Sequence, residues 1–404
     1  MHTRRPVLLV ILSFLLLVPQ PAGLRAAGTP YSTALVRWRA ADGGFATWSL
    51  NGTLRVAGGL QLDAAAATIE TDPYLPGTYY GGNFYNGGTY VVGEATGPEI
   101  LTTMGVAEAI ASWNADTPPG TWIETLARVR TAGRWTQWYN LGVWASDTAT
   151  IVRHSVALQG DSDGFVSIDT LVLDKKLIVE ALQVKLRLFA IGASATPTVR
   201  NVALAFSPSA LKKVPPSAGD PAFWNTRLDV PECSQMIYPD GGTVWCSPTS
   251  TSMVLGYWGA DVRACEPRVR GAVAGAYDWR YNGFGNWPFN TAYAATFGLE
   301  AYVARFSSFA QMEPWVAARV PVVISYGWKK GELTGAPIAT SPGHLAVVVG
   351  FDADGNPIVN DPAAASDADV QRVYLREELE ELWLAHSGGT VYLIYPQGWP
   401  VPAI

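Results

Sequence analysis

Leu182, Val184, Leu186 and Leu188 alternate with Gln183, Lys185 and Arg187. A period of two places successive side chains on opposite faces of a strand, so this segment needs a core on one side and water on the other. Weaker alternation recurs at 50–56, 60–62, 122–129 and 202–206, with turn signals at Asn51-Gly52, Asn86-Gly87-Gly88 and Pro119-Gly120 between them. No helical period of useful length interrupts the run from about 30 to 206. Many short strands punctuated by glycine and proline predict an all-β sandwich, jelly-roll-like, over 28–206. The 40 Gly, 28 Pro, 16 Trp and 17 Tyr fit that reading.

The stretch 207–222 is rich in Pro and Lys and poor in apolar residues, which predicts a linker. Beyond it the pattern changes. Thr249 to Trp258, Phe289 to Phe297 and Phe309 to Ala318 have helical length, whereas Val320 to Tyr326, His344 to Phe351 and Val391 to Tyr395 read as strands. Helices first and strands later predict an α+β domain over 223–404. The chain is thus expected to be multidomain. With 49 % hydrophobic and 15 % charged residues, disorder throughout is excluded. A net charge of -6 argues against a nucleic-acid partner.

The N-terminus carries Arg4 and Arg5, then an apolar run over 7–18, then Pro19, Pro21 and small residues. This is the pattern of a signal peptide over 1–27, and it predicts a secreted, extracellular protein with no membrane span after cleavage. A retained anchor helix is the alternative. The run is shorter than the roughly 20 residues needed to cross a bilayer.

Cys246 precedes Pro248 and a run in which Met253, Val254, Tyr257 and Trp258 recur at helical spacing. Proline fits the first turn of a helix, so Cys246 is expected at a helix N-terminus, where the dipole favours a thiolate. His344 opens the strand to Phe351, and Asp352-Ala353-Asp354-Gly355 reads as a hairpin turn. A hairpin folded about Asp352/Ala353 sets His344 across from Asp361, within one or two residues of register. A carboxylate beside an imidazole fixes its tautomer and favours the imidazolium, completing a Cys-His-Asp set. Asn360 is the other candidate to orient His344. Upstream, Gln235 and the Cys246 backbone N–H are candidate donors for an oxyanion.

The ordered motifs Val230-Pro231-x-x-x-Gln235, Cys246-x-Pro248-Thr249-Ser250, Gly343-His344-x-x-Val347-Val348-Val349-Gly350 and Asn360-Asp361-Pro362 are similar to those of papain-type cysteine peptidases. They most resemble family thirty-nine, the bacteriocin-leader (double-glycine) peptidases, and its secreted stand-alone members. The resemblance covers about 223–404. It implies a papain-like fold with Cys246 as nucleophile, His344 as base, Asp361 orienting it and Gln235 in the oxyanion hole. It implies a peptide or protein substrate, a thioester acyl-enzyme, and neither cofactor nor metal. Amidase and transpeptidase chemistry would use the same residues. Ser247 stands where the family usually has Gly.

The rival reading is a cell-surface protein whose peptidase-like domain is inert and whose sandwich binds glycan or cell-wall polymer. It rests on Ser247 and on the aromatics Tyr79, Tyr80, Phe84, Tyr85, Trp135, Trp138, Tyr139 and Trp144. Cys233 and Cys265 flank the nucleophile; they either pair in an oxidising compartment or remain as two buried thiols. Asp352, Asp354 and Asn356 imitate the start of a calcium loop, but Ala363 occupies the position of its essential Glu, so a turn explains them better. No H-E-x-x-H or C-x-x-C motif suggests zinc. His154 is expected to be structural. His386 and the acidic residues Glu377, Glu378, Glu380 and Glu381 are expected on a solvated helix face.

Overall fold

The computed structural model describes residues 31–72, 85, 87–192, 194–210, 213 and 216–404. The expected signal peptide, together with Tyr79, Tyr80 and Phe84, lies outside them. The N-terminal half is organised by β1 (Ala34–Arg39), β2 (Glu108–Asp116), β3 (Thr121–Thr131), β4 (Val179–Ala190) and β5 (Thr198–Ser207). The alternating segment is β4. Its four alternating residues Leu182, Val184, Leu186 and Leu188 are fully buried, and Gln183, Lys185 and Arg187 occupy the opposite face. β4 pairs antiparallel with β3, and β5 with β2. Among the described residues these belong to an eight-stranded and a seven-stranded sheet respectively. The sheets share one core, with Ile123, Val129 and the β4 leucines from one and Trp113, Val202 and Leu204 from the other. Each fully buried large aliphatic side chain contributes about 1.5–3 kcal/mol to this sandwich.

The second half is α+β. Its helices are α1 (Cys246–Tyr257), α2 (Cys265–Ala276), α3 (Trp287–Ala295), α4 (Phe309–Ala317) and α5 (Arg376–Ser387). Its strands include β6 (Leu299–Arg305), β7 (Val322–Trp328), β8 (Ser341–Phe351), β9 (Pro357–Asn360), β10 (Gln371–Val373) and β11 (Thr390–Pro396). They stand in the order β6-β11-β7-β8-β9-β10, every pair antiparallel. Sequence patterning did not reveal α2 or β6. The sequence of α2 holds two glycines and a proline and shows little apolar periodicity, and tertiary contacts hold it. β6 is buried along its whole length, so it lacks the alternation of a half-buried strand.

β6 lies against the sandwich, and its charged ends meet charged partners there. Arg37 of β1 donates to Glu300 at 2.6 Å and to the Tyr395 hydroxyl at 2.9 Å, with its guanidinium 3.8 Å from the Tyr302 ring centre. Arg305 pairs with Glu108 of β2. The cores interpenetrate: Ile110 and Ala203 of the sandwich join the α+β core, and Phe289 and Ala292 of α3 join the sandwich core.

The end of the linker is tethered. The Ser217 N–H and hydroxyl both donate to Glu380 at 2.7 Å, and the Asp220 N–H donates to Glu313 at 2.8 Å. This corrects the expectation for one residue of the acidic run of α5, whose Glu377 and Glu381 are exposed as expected. Glu380 is buried, accepting also from the Phe309 N–H that opens α4, so it is an internal strut rather than a solvated charge.

Cys233 and Cys265 form a disulfide across a separation of 32 residues, and Cys246 is the free thiol. The bridge ties the segment before α1 to the start of α2. In the chain-entropy model a loop of this length stabilises by about 3–4 kcal/mol. Replacing both residues by serine is therefore expected to lower the unfolding free energy by about 3 kcal/mol in urea titrations. An unchanged midpoint would show that the bridge constrains nothing that unfolding releases.

Candidate active site

Cys246 is the first residue of α1, and Pro248 lies in the first turn. From Ser247 to Leu255 the helix is buried, so α1 is a central rather than an amphipathic helix. Small hydroxyl residues let neighbouring backbones approach it, and the hydroxyls of Ser247, Ser250, Thr251 and Ser252 find partners. Ser250 donates to the Leu345 carbonyl at 3.1 Å, which pins α1 to β8 one residue past His344. Ser247 lies 2.9 Å from the Tyr392 hydroxyl, so the residue that replaces the usual glycine is turned into the sheet. Cys246 itself is partly exposed.

His344 is buried on β8, with Tyr326 of β7 as its cross-strand partner. Its Nε2 stands 2.8 Å from Asp361 Oδ1. Cys246 is near enough to act on the imidazole, favouring its charged form. The register differs from the expected one. Val347 faces Asn360 and Val348 faces Val359, and a bulge follows before Gly350. Extended along β8, this pairing puts Asp361 beside Ala346, two residues from His344. A slip of two keeps both side chains on the same face, whereas a slip of one would have separated them. The two side chains meet as diagonal neighbours.

The turn between these strands is closed by Asp352, whose Oδ1 accepts from the N–H groups of Asp354 at 2.9 Å and Asn356 at 2.8 Å. Those contacts account for the calcium-like spacing. Asn360 points elsewhere, donating to the Val230 carbonyl at 3.1 Å and accepting from Gln371 at 3.2 Å.

Asp361 is fully buried and accepts four hydrogen bonds. Oδ1 takes His344 Nε2 at 2.8 Å and the Ala363 N–H at 2.9 Å, and Oδ2 takes the hydroxyls of Tyr374 at 2.7 Å and Tyr326 at 3.1 Å. Burial alone would raise the carboxyl, but the His344 charge and these donors hold it below the usual carboxylate range. Burial first, then the Asp361 charge, pushes both phenols up, so they remain protonated donors. For His344 burial works against the charged form, yet the Asp361 carboxylate and the Cys246 contact outweigh it and raise the imidazole to about 10. The indole of Trp328 and the phenol of Tyr326 stand edge-on to that ring, with centroids 5.5 and 5.4 Å away.

Gln235 is buried in the segment before α1. Its Nε2 donates to the Gly242 carbonyl at 2.7 Å, and its Oε1 is buried without a partner among the described residues. Gly242 opens the single turn that leads through Trp245 to Cys246. Of the residues expected from sequence, the structure therefore joins His344 and Asp361 through a hydrogen bond, brings Cys246 near His344, and anchors Gln235 on the turn that precedes the cysteine. Sequence reasoning missed Tyr326, Trp328, Tyr374 and Ser250. Tyr326 closes an apolar strand and had a weak signal, whereas Tyr374 follows a three-residue strand and had none.

Beyond Trp328 opens a cavity of about 760 Å³, lined among others by Lys329, Ser341, Glu381 and His386. His386 is exposed near the end of α5, as expected, and partial desolvation there lowers its imidazole from the ordinary value. His154 is buried within the sandwich, which lowers it to about 4.

Two family models match this chain: the Peptidase C39 N-terminal domain over residues 34–207, and the Peptidase_C39 like family over residues 227–391. The chain belongs to the C39-like cysteine peptidase family. No curated protein matches it. Among solved structures, a mutant Xylanase10C from Cellvibrio japonicus in complex with xylopentaose is 14 % identical, covering 45 % of this chain and 30 % of its own, with a TM-score of 0.20. A structure described as the basis for promiscuous specificity of carbohydrate-binding modules from the β-sandwich superfamily is 12 % identical, covering 43 % and 56 %, with a TM-score of 0.17. The chain thus spans about a third and about half of those two proteins.

A raised imidazole adds stability that is complete below the unfolded value of 6.5 and is lost as pH rises through about 10. Replacing Asp361 by Asn removes the charge that holds the imidazole up and leaves the burial that lowers it. The His344 titration, followed by ring-proton NMR, is expected to fall from about 10 to below the free-imidazole value in D361N. An unmoved titration would refute the pairing.

Proposed function

We propose that this protein is a secreted cysteine peptidase that cleaves peptide bonds through Cys246, His344 and Asp361. The observation that carries the reading is the buried His344–Asp361 pair with the partly exposed Cys246 near it, at the N-terminus of a central helix. The Cys246 sulfur attacks the carbonyl carbon, and its proton resides on His344. Gln235 and the Cys246 N–H donate to the oxyanion. His344 then protonates the departing amine as the C–N bond breaks, leaving a thioester. Water attacks the thioester, giving its proton to His344, and the acid product and free thiol are released. Asp361 holds the ring orientation throughout.

The N-terminal arginines with the apolar run over 7–18 support secretion, as does the Cys233–Cys265 disulfide, since such bridges persist in oxidising compartments. Among the described residues, no helix is long and apolar enough to cross a membrane. The rival glycan-binding reading loses part of its motive. Tyr85, Tyr139 and Trp144 are buried, and the Arg128 guanidinium lies 4.3 and 4.2 Å from the rings of Trp135 and Trp138.

Two variants test the assignment. Cys246→Ala is expected to abolish hydrolysis of casein and of quenched peptide libraries while leaving the circular dichroism and melting profile unchanged. Gln235→Ala is expected to lower kcat by about 10²–10³-fold, the range typical of one lost oxyanion donor, with little change in KM. Full turnover by C246A would overturn the proposal.

A further inference from the structure

The loop 277–286 joins α2 to α3 and lies at the start of α1. Its Phe284 packs edge-on against Trp245, the residue before Cys246, with centroids 6.1 Å apart. The Phe284 carbonyl accepts from Asn290 of α3 at 2.8 Å, and Asn290 in turn accepts from Thr251 of α1 at 3.4 Å. Between this loop and α2 lies a cavity of about 380 Å³, lined by Trp245, Val273, Ala274, Tyr277 and Phe284, with the Asp240–Arg270 ion pair at its rim. A space of that size, walled by aromatic and aliphatic carbon, suits one bulky apolar side chain. The same loop exposes Trp279 and Tyr281 at 41 % and 44 %, where its flanks are buried. Burial first, then the nearby Cys246 charge, raises the Tyr281 hydroxyl, in keeping with a loop beside the nucleophile.

The sandwich holds this loop. Asp278 Oδ1 accepts from the Ser155 N–H at 2.9 Å, and the Trp279 N–H donates to the Arg153 carbonyl at 3.2 Å. Arg153 also donates to the Gly275 carbonyl. At the far end, buried Asp169 accepts from the Trp287 N–H at 2.7 Å, capping the N-terminus of α3 from a hairpin of the other domain. Within the loop, Asp278 and Gly283 exchange backbone hydrogen bonds at 2.9 and 3.3 Å. A Cβ at Gly283 would stand 2.6 Å from the Tyr281 ring, so glycine there lets the ring fold back over the loop.

We propose that the cavity walled by Trp245, Tyr277 and Phe284 is a substrate subsite for a bulky apolar side chain near the scissile bond, and that the N-terminal sandwich sets its shape, with Asp169 as a positioning residue. The subsite rests on the peptidase reading above. The two domains then form one substrate-recognition unit, in which the sandwich acts by fixing the loop and need not hold a ligand of its own.

The test uses the full mature chain and internally quenched peptides that differ by Phe, Leu or Gly at one position at a time. At one position the wild type is expected to favour Phe or Leu over Gly by about ten-fold or more in kcat/KM, the scale of an apolar pocket contact. Ala274→Trp, placed on an exposed face of α2, fills the cavity and is expected to reduce that preference to within about three-fold. Asp169→Asn is expected to raise KM for the preferred peptide by about ten-fold with kcat within about two-fold, since the reacting groups stay in place. An unchanged preference in A274W overturns the subsite, and an unchanged KM in a folded D169N overturns the role of Asp169. A274W decides the subsite even where D169N fails to fold. Turnover that is absent from the wild type, or that survives in C246A, overturns the peptidase reading and the subsite with it.

Discussion

A single buried carboxylate organises the centre of this molecule. Asp361 is fully buried, so an unpaired charge there would cost several kcal/mol. It is tolerated because four donors from four places converge on it: the His344 ring, the Tyr326 and Tyr374 hydroxyls, and the Ala363 N–H. Each donor constrains a different element. Tyr326 fixes the end of β7, His344 fixes β8, and Tyr374 fixes the segment that leads into α5. The order of the antiparallel sheet around the site and the charge of the imidazole therefore depend on the same group.

The second constraint lies between the domains. A sandwich and an α+β domain joined by a linker invite description as separate modules. Here each core includes residues of the other, and charged residues of β6 are neutralised by β1 and β2. Buried ion pairs of this kind add little net stability, but removing one partner is costly, so they hold the two domains in one alignment. The hydrogen bonds from Ser155, Arg153 and Asp169 continue that contact up to the loop beside Cys246. The match to the Peptidase C39 N-terminal domain over 34–207 coincides with the sandwich.

Much of the fold was legible in local patterns. The alternation in β4 reports a half-buried strand, and the long apolar runs of β7, β8 and β11 report strands buried on both faces. The candidate residues Cys246, His344 and Asp361 were legible because each borders a recognisable local pattern: a helix start, the apolar run of a strand that begins three residues earlier at Ser341, and a strand end. The register was not legible to the residue. The bulge between Val348 and Gly350 arises from pairing with β9, and a bulge leaves no periodic trace. The role of Glu380 was hidden for a similar reason, since an acidic residue in an acidic run reads as solvated until its partners, Ser217 and the Phe309 N–H, are brought to it from distant segments.

By itself, the sequence determined which segments alternate, that Cys246 opens α1, and that an apolar strand follows His344, because these are properties of neighbours within a few residues. Only the tertiary structure decided that Asp361 rather than Asn360 meets His344, that Cys233 and Cys265 pair while Cys246 stays free, and that Asp169 of the sandwich caps α3. Those contacts join residues from about 17 to more than 100 positions apart, and distance in the chain carries no signal of proximity until burial and hydrogen bonding force the partners together.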